Sequence, residues 1–174
     1  VAAVKGQPGT IAAYKQEAKK QNQPLAFALS DITALASAKF GYSAEDVLNT
    51  CQALYETHKL TSYPRTDCAY LPESQHADAP RVLEAIKHVN PELAGLVDGA
   101  DPRIKSKTWD DSKITAHHGI VPTMQKGSKA ALSERERNIY DLIVRAYLAQ
   151  FYPLHEYMQT TVGVEIAGEN FAAS

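Results

Sequence analysis

Long hydrophobic runs are missing from this sequence. Its most continuous apolar stretch, Leu25-Ala26-Phe27-Ala28-Leu29, falls far short of the ~20 residues that a membrane-spanning helix needs. The N-terminal residues lack the basic flank and apolar core of a secretory signal. Cysteine is scarce too: Cys51 and Cys68 have no zinc-like spacing, and no second pair exists to complete a tetrahedral site. Reduced thiols in a cytoplasmic protein are the expectation. Neither charge sign dominates, because 18 basic against 20 acidic residues give a net charge of −2. That excludes the strong cationic field of a stand-alone nucleic-acid binder, though not an enzyme that reads phosphates with a few placed groups. Nine glycines and nine prolines are too few for a disordered or collagen-like chain. What remains is ordinary globular composition, 44% hydrophobic and 22% charged over 174 residues, enough for one domain with parts of others.

The pattern of residues is mostly helical. Val1–Val4 reads as a strand remnant, and the polar, lysine-rich stretch Tyr14–Gln23 as a linker closed by Pro24. Ser30-Asp31 can cap a first helix with Ile32, Leu35 and Ala36 on its apolar face, stopped at Gly41. Ser43 and Asp46 form an imperfect capping box before a second helix, whose Val47, Leu48, Cys51, Leu54 and Tyr55 share one face. A third helix is expected around Pro80 with Val82, Leu83 and Ile86 inward, and a short fourth one at Pro91. After a loop-rich stretch from Asp98 to Lys129, the capping box Ser133-Glu134-Arg135-Glu136 opens the clearest helix, striped by Ile139, Leu142, Ile143, Ala146 and Tyr147. Val162, Val164 and Ile166 alternate with polar neighbours as in a strand, and a turn is expected at Gly168-Glu169-Asn170.

The densest polar cluster is Thr61-Ser62-Tyr63-Pro64-Arg65-Thr66-Asp67-Cys68. If the backbone is extended there, Tyr63 and Arg65 project to one side. A phenol, with an unperturbed pKa of about 10, is a poor nucleophile at neutral pH. A neighbouring guanidinium favours the phenolate and can grip a phosphate bidentately. Tyrosine, arginine and phosphate together point to transesterification through a covalent phosphotyrosine. Taken alone, the same Tyr-Pro-Arg run also makes an ordinary structural turn. His117 and His118 are adjacent, so they cannot both face one way on a strand, and a two-histidine metal site is not expected. One of them can hold a phosphate or assist proton transfer; a loop histidine satisfied by backbone groups is the plainer alternative. Asp110-Asp111 reads as a solvated turn or helix cap, with no metal assigned. Tyr140, Tyr147, Phe151 and Tyr152 read as core rather than as a base-stacking platform.

Several runs, taken in order, resemble one family. They are Pro24–Phe27, Gln52–Lys59, Tyr63-Pro64-Arg65-Thr66-Asp67-Cys68, Tyr70-Leu71-Pro72, Trp109–Thr123 and Tyr147–Phe151. Together they resemble the active-site segment of type IA DNA topoisomerases, nearest the bacterial topoisomerase III branch. The resemblance implies that Tyr63 attacks a phosphodiester of single-stranded DNA, becomes linked to the 5′ phosphate and releases a 3′ hydroxyl. The reverse reaction, after strand passage, rejoins the strand without ATP. It implies that Arg65 supports the scissile phosphate and that His117 lies at the same site. Ser62, Thr66, Asp67 and His118 match neighbouring motif positions and are expected to contact DNA or support the site.

The resemblance also implies a mainly α fold, a helical catalytic-tyrosine domain with short β segments at both termini, cut from a larger toroidal enzyme. Its expected parts are 1–23, a strand remnant and linker from a β-rich arch; 24–128, the helical domain with Tyr63; 129–155, the start of the following helical domain; and 156–174, a β segment of the arch. Mg²⁺ belongs to the complete enzyme, whose acidic metal-binding domain has no counterpart in these residues, so no cofactor is expected in this chain. The expected partners are single-stranded DNA and the remaining topoisomerase domains, with no membrane. The chain alone is expected not to relax supercoiled DNA. The competing reading is a non-catalytic DNA-binding or protein-interaction module that keeps the topoisomerase sequence. A tyrosine recombinase or relaxase would need clusters of basic or metal-ligating partners that the sequence does not show.

Overall fold

Apolar side chains segregate sharply along this chain, and the segregation defines its architecture. The computed structural model describes residues 3–174. One unit comprises Gln23–Pro153; the other joins Val1–Asn22 to Leu154–Ser174. Every buried residue among those described belongs to the first.

That unit holds five helices: α1 (Leu29–Phe40), α2 (Ala44–Glu56), α3 (Ala79–Val89), α4 (Ala94–Asp98) and α5 (Glu134–Ala149). Local chemistry sets their ends. Helix α1 starts one residue before the expected Ser30-Asp31 cap: Ala28 is its N-cap, and the Asp31 carboxylate accepts the Ala28 N–H at 3.1 Å. It stops at Gly41, whose left-handed backbone (φ 71°) an L side chain rarely adopts. Ser43 accepts the Asp46 N–H to open α2, and Ser133 and Glu136 form the full reciprocal box at α5. The helices converge on Ile32, Leu54, Ile86, Ile139, Ile143 and Phe151. Leu35, expected on the inner face of α1, is instead exposed, because Ile32 and Ala36 already fill that contact.

Trp109, the sole tryptophan, lies at 5% exposure against the rings of His76, Tyr147 and Phe151. Its segment is held by the Leu71 N–H donating to the Thr108 carbonyl at 2.7 Å. Tyr140 and Tyr147 are buried, and desolvation pushes both hydroxyls well above the usual phenol range. Burial likewise pushes the Cys51 thiol up to about 12, so it is an inert core group. No helix among the described residues is long and apolar enough to cross a membrane.

The second unit is an antiparallel sheet of order β1-β2-β3, with β1 Gly9–Gln21, β2 His155–Ile166 and β3 Glu169–Ala173. Gly9 pairs with Ile166 and Gln21 with His155, and the register shifts by a bulge between Ile11 and Ala13. Strands β2 and β3 meet through a two-residue turn, Ala167-Gly168, both at positive φ (50° and 81°), the twist that suits a tight hairpin.

Three expectations change here. The stretch Tyr14–Gln23 is not a linker, since residues up to Gln21 are β1. Its hydrophobic alternation is absent because neither face of this strand is buried. The apolar run at the start is not that strand: residues 1 and 2 lie outside the described residues, and residues 3–6 form a turn. With 13 and 12 residues in β1 and β2, the terminal β segments are long rather than short, and the chain is five helices plus a three-stranded sheet. Helix α5 shares the core of α1 and α2.

Candidate active site

Two segments without regular structure, 60–68 and 117–123, lie side by side. Bridges pair Thr61 with Pro122 and Phe27 with Ile120, and the Thr123 N–H donates to the Leu60 carbonyl at 3.0 Å. Pro64 keeps the first segment from joining a helix. The Thr66 N–H closes a turn onto the Pro64 carbonyl (3.0 Å), and the Thr66 carbonyl accepts the Leu29 N–H (2.9 Å) at the start of α1. The second segment approaches Ala26 so closely that a β-carbon on Gly119 would lie 2.9 Å from the Ala26 β-carbon. Only glycine fits there.

This pairing brings Tyr63 and His117 together. Their ring centroids are 4.8 Å apart with a 46° tilt, and Tyr55 of α2 makes a T-shaped contact with Tyr63 at 5.6 Å. The Lys59 ammonium lies 5.8 Å from the Tyr55 ring centroid. Tyr63 stays 37% exposed beside these rings, whereas Tyr140 and Tyr147 are sealed in the core. Among these three tyrosines, Tyr63 alone combines lateral support with an open side.

Arg65 is exposed and donates from Nη2 to the Gln52 side-chain oxygen at 3.0 Å; Gln52 in turn donates to Glu56 at 3.0 Å. Gln52 and Tyr55 lie one turn apart on α2, so a single helical face steadies both Arg65 and Tyr63. A guanidinium carries five N–H donors, and one bond leaves most of them for an anion. Arg65, Thr66 and Asp67 also line a groove of about 990 Å³ beside α1.

The remaining sequence candidates separate. Asp67 is exposed on that groove. Thr66 is 5% exposed and its hydroxyl accepts the Cys68 N–H at 3.1 Å, a bond that holds the turn. Ser62 donates to the Gly119 carbonyl and accepts the Val121 N–H, both at 3.0 Å. His118 faces a different way from His117, into a cleft of about 230 Å³ that Ser62 and Gln75 also line. Asp110 caps Ser112, whose hydroxyl holds its carboxyl below the ordinary range, and Asp111 accepts the Glu73 N–H at 2.9 Å. These carboxylates are engaged in capping, and no three His, Cys, Asp or Glu side chains among the described residues are grouped to hold a metal ion. The donor set does not fit a magnesium site.

Sequence reasoning from the residues missed Gln52 and Tyr55 as supports. Their i, i+3 spacing on α2, one turn apart on one face, was the available signal.

The family model described as DNA topoisomerase matches residues 1–174. The chain belongs to the type IA DNA topoisomerases. Within them it stands in the topoisomerase III branch: it is 44% identical over 170 residues to DNA topoisomerase 3 of Vibrio cholerae, covering 98% of this chain and 26% of that protein. DNA topoisomerase 3 of Haemophilus influenzae is 42% identical over 170 residues, with the same two coverages. That of Bacillus licheniformis is 38% identical over 173 residues, covering 98% of this chain and 24% of the relative. The chain thus spans about a quarter of the length of the topoisomerases it matches. Full-length topoisomerase I from Thermotoga maritima shares the fold, with a TM-score of 0.66 at 19% identity over 99% of this chain and 28% of that one.

Proposed function

We propose that this chain is the catalytic-tyrosine part of a type IA topoisomerase that cleaves and rejoins single-stranded DNA. Tyr63 Oη attacks the scissile phosphorus, a 5′-phosphotyrosine forms, and the bond to the 3′ oxygen breaks to leave a 3′ hydroxyl. Attack by that hydroxyl reverses the step. The phosphotyrosine conserves the energy of the broken diester, so strand passage for relaxation or decatenation needs no ATP. Arg65 neutralises charge on the non-bridging oxygens through the donors that Gln52 leaves free, and His117 holds the phosphate beside the Tyr63 ring. Asp67, next to Arg65 on the same groove, lines the path of the strand. Any Mg²⁺ would be bound by residues other than these. Such an enzyme works in the cytoplasm beside the remaining domains of its chain.

One observation carries this reading: a half-open tyrosine in ring contact with both Tyr55 and His117, with Arg65 bonded to the helix face that carries Tyr55. In the full-length protein, Tyr63→Phe should remove covalent DNA adducts trapped by denaturation while binding of single strands persists. Adducts that survive this substitution would reject Tyr63 as the nucleophile. The isolated chain should not relax supercoiled DNA.

A further inference from the structure

Tyr63 and His117 sit 54 positions apart on two irregular segments, so something other than a helix or sheet must fix their spacing. The backbone around Ser62 and Gly119 supplies it. The Ser62 N–H donates to the Val121 carbonyl at 2.9 Å. Its hydroxyl then makes two bonds, donating to the Gly119 carbonyl and accepting the Val121 N–H. The Gly119 carbonyl receives a second donor, His118 Nδ1 at 2.8 Å. A carbonyl can only accept, so Nδ1 carries the proton. Nε2 faces the Gln75 side-chain nitrogen at 3.2 Å. The Gly119 N–H meanwhile donates to the Tyr70 carbonyl at 2.8 Å, and the absent β-carbon lets the segment lie against Ala26.

We propose that Ser62 and His118 are positioning residues: Ser62 latches the Tyr63 segment to the His117 segment through Gly119 and Val121, and His118, bonded to Gly119 within its own segment and facing Gln75 outside it, keeps the shared Gly119 carbonyl in place. The inference rests on the reading of Tyr63 as nucleophile and extends it. The two residues flank the reacting pair in sequence, Ser62 directly before Tyr63 and His118 directly after His117. A slip in the latch therefore passes into the spacing of the two rings within one residue. The hydroxyl of Ser62 already makes one donated and one accepted bond within the protein, and both ring nitrogens of His118 are paired. Neither side chain needs DNA to complete its hydrogen bonding, which distinguishes them from Arg65.

The test uses the full-length protein and one single-stranded oligonucleotide, measuring the single-turnover rate of adduct formation and the equilibrium Kd with its salt dependence. Ser62→Ala should slow adduct formation by about 10- to 100-fold, the scale of an ångström-sized misplacement, with Kd nearly unchanged. Ser62→Thr, which keeps the hydroxyl, should recover the rate. His118→Asn places an amide N–H where Nδ1 was and should hold the rate, whereas His118→Phe should lower it. Because Ser62→Ala and His118→Phe release the same carbonyl, their combined loss should be less than the product of the two.

An unchanged rate in Ser62→Ala overturns the latch. So does a loss that appears in Kd with a shallower salt slope, which would make the hydroxyl a DNA contact. Should Ser62→Ala or His118→Phe fail to fold, the Thr and Asn variants decide: near-native rates support the latch, slow ones overturn it. Tyr63→Phe serves as the control. If it abolishes adducts while Ser62→Ala does nothing, the latch alone falls; if adducts persist, the nucleophile assignment falls.

Discussion

The helical unit and the sheet are stabilised by different physics. Residues 23–153 bury a continuous apolar cluster from Ile32 to Phe151, and the tyrosine segment is anchored to its surface. The sheet buries no residue at all: Ile11, Tyr14, Met158 and Phe171 are each 46–66% exposed. Its order comes from the β1–β2 ladder, cross-strand neighbours such as Ile11 with Val164 and Val164 with Phe171, and exposed ion pairs such as Lys20–Glu156 at 2.6 Å. In this molecule the site needs a core beneath it, whereas a ribbon of strands needs only its own pairing. Placement within ångströms is a property of the packed unit.

That contrast can be broken or sharpened by substitution. The largest effect should come from Ile143→Ala, which empties a fully buried position and should cost about 2–5 kcal/mol by denaturant unfolding. A loss as small as that of a surface change would mean the core is not what holds this unit. Next is Gly119→Ala. Its new β-carbon would meet Ala26 and the Ala69 backbone, so a cost of about 1–3 kcal/mol is expected, with a shift in the resonances of His117 and Tyr63.

A smaller, pH-dependent effect belongs to Glu136. Burial pushes its carboxyl up, but bonds from the Ser133 backbone and hydroxyl and the contact with His58 at 3.1 Å outweigh burial and hold it below the ordinary range. A lowered folded value means that the ionised form stabilises the fold above the unfolded value. That contribution is lost as pH falls through the lowered one. Thermal melts between neutral and acid pH should therefore show a steeper decline in the native chain than in Glu136→Gln, which keeps the cap on Ser133. The smallest effect should be Glu156→Gln in the sheet, with no resolvable change in the unfolding midpoint, because both partners are solvated.

How far the sequence reveals this molecule follows the same contrast. Ser43 and Ser133 announce α2 and α5 because capping is local chemistry, and the stripe Ile139, Leu142, Ile143 reads inward because that face is buried. Strand β1 is illegible for the converse reason: Tyr14–Gln21 pairs through its backbone, and exposed side chains leave no period of two. At the site, alternation suggests that Tyr63 and Arg65 share a side, and the structure links both to α2 through Tyr55 and Gln52. The meeting of Tyr63 with His117 is long-range, so it came from family resemblance rather than from spacing. The inward turn of Thr66 and the pairing of Ser62 with Gly119 depend on where a second segment runs, which no local pattern encodes.

Trp109 gives this arrangement an optical consequence. As the sole indole, wedged among His76, Tyr147 and Phe151, it makes ultraviolet emission from this chain a private report on the helical unit. Melting of the strands should leave that emission dark to the event, while loosening of the wall behind the tyrosine segment should redden it at once. A spectrometer can thus watch one half of the molecule come apart without a label.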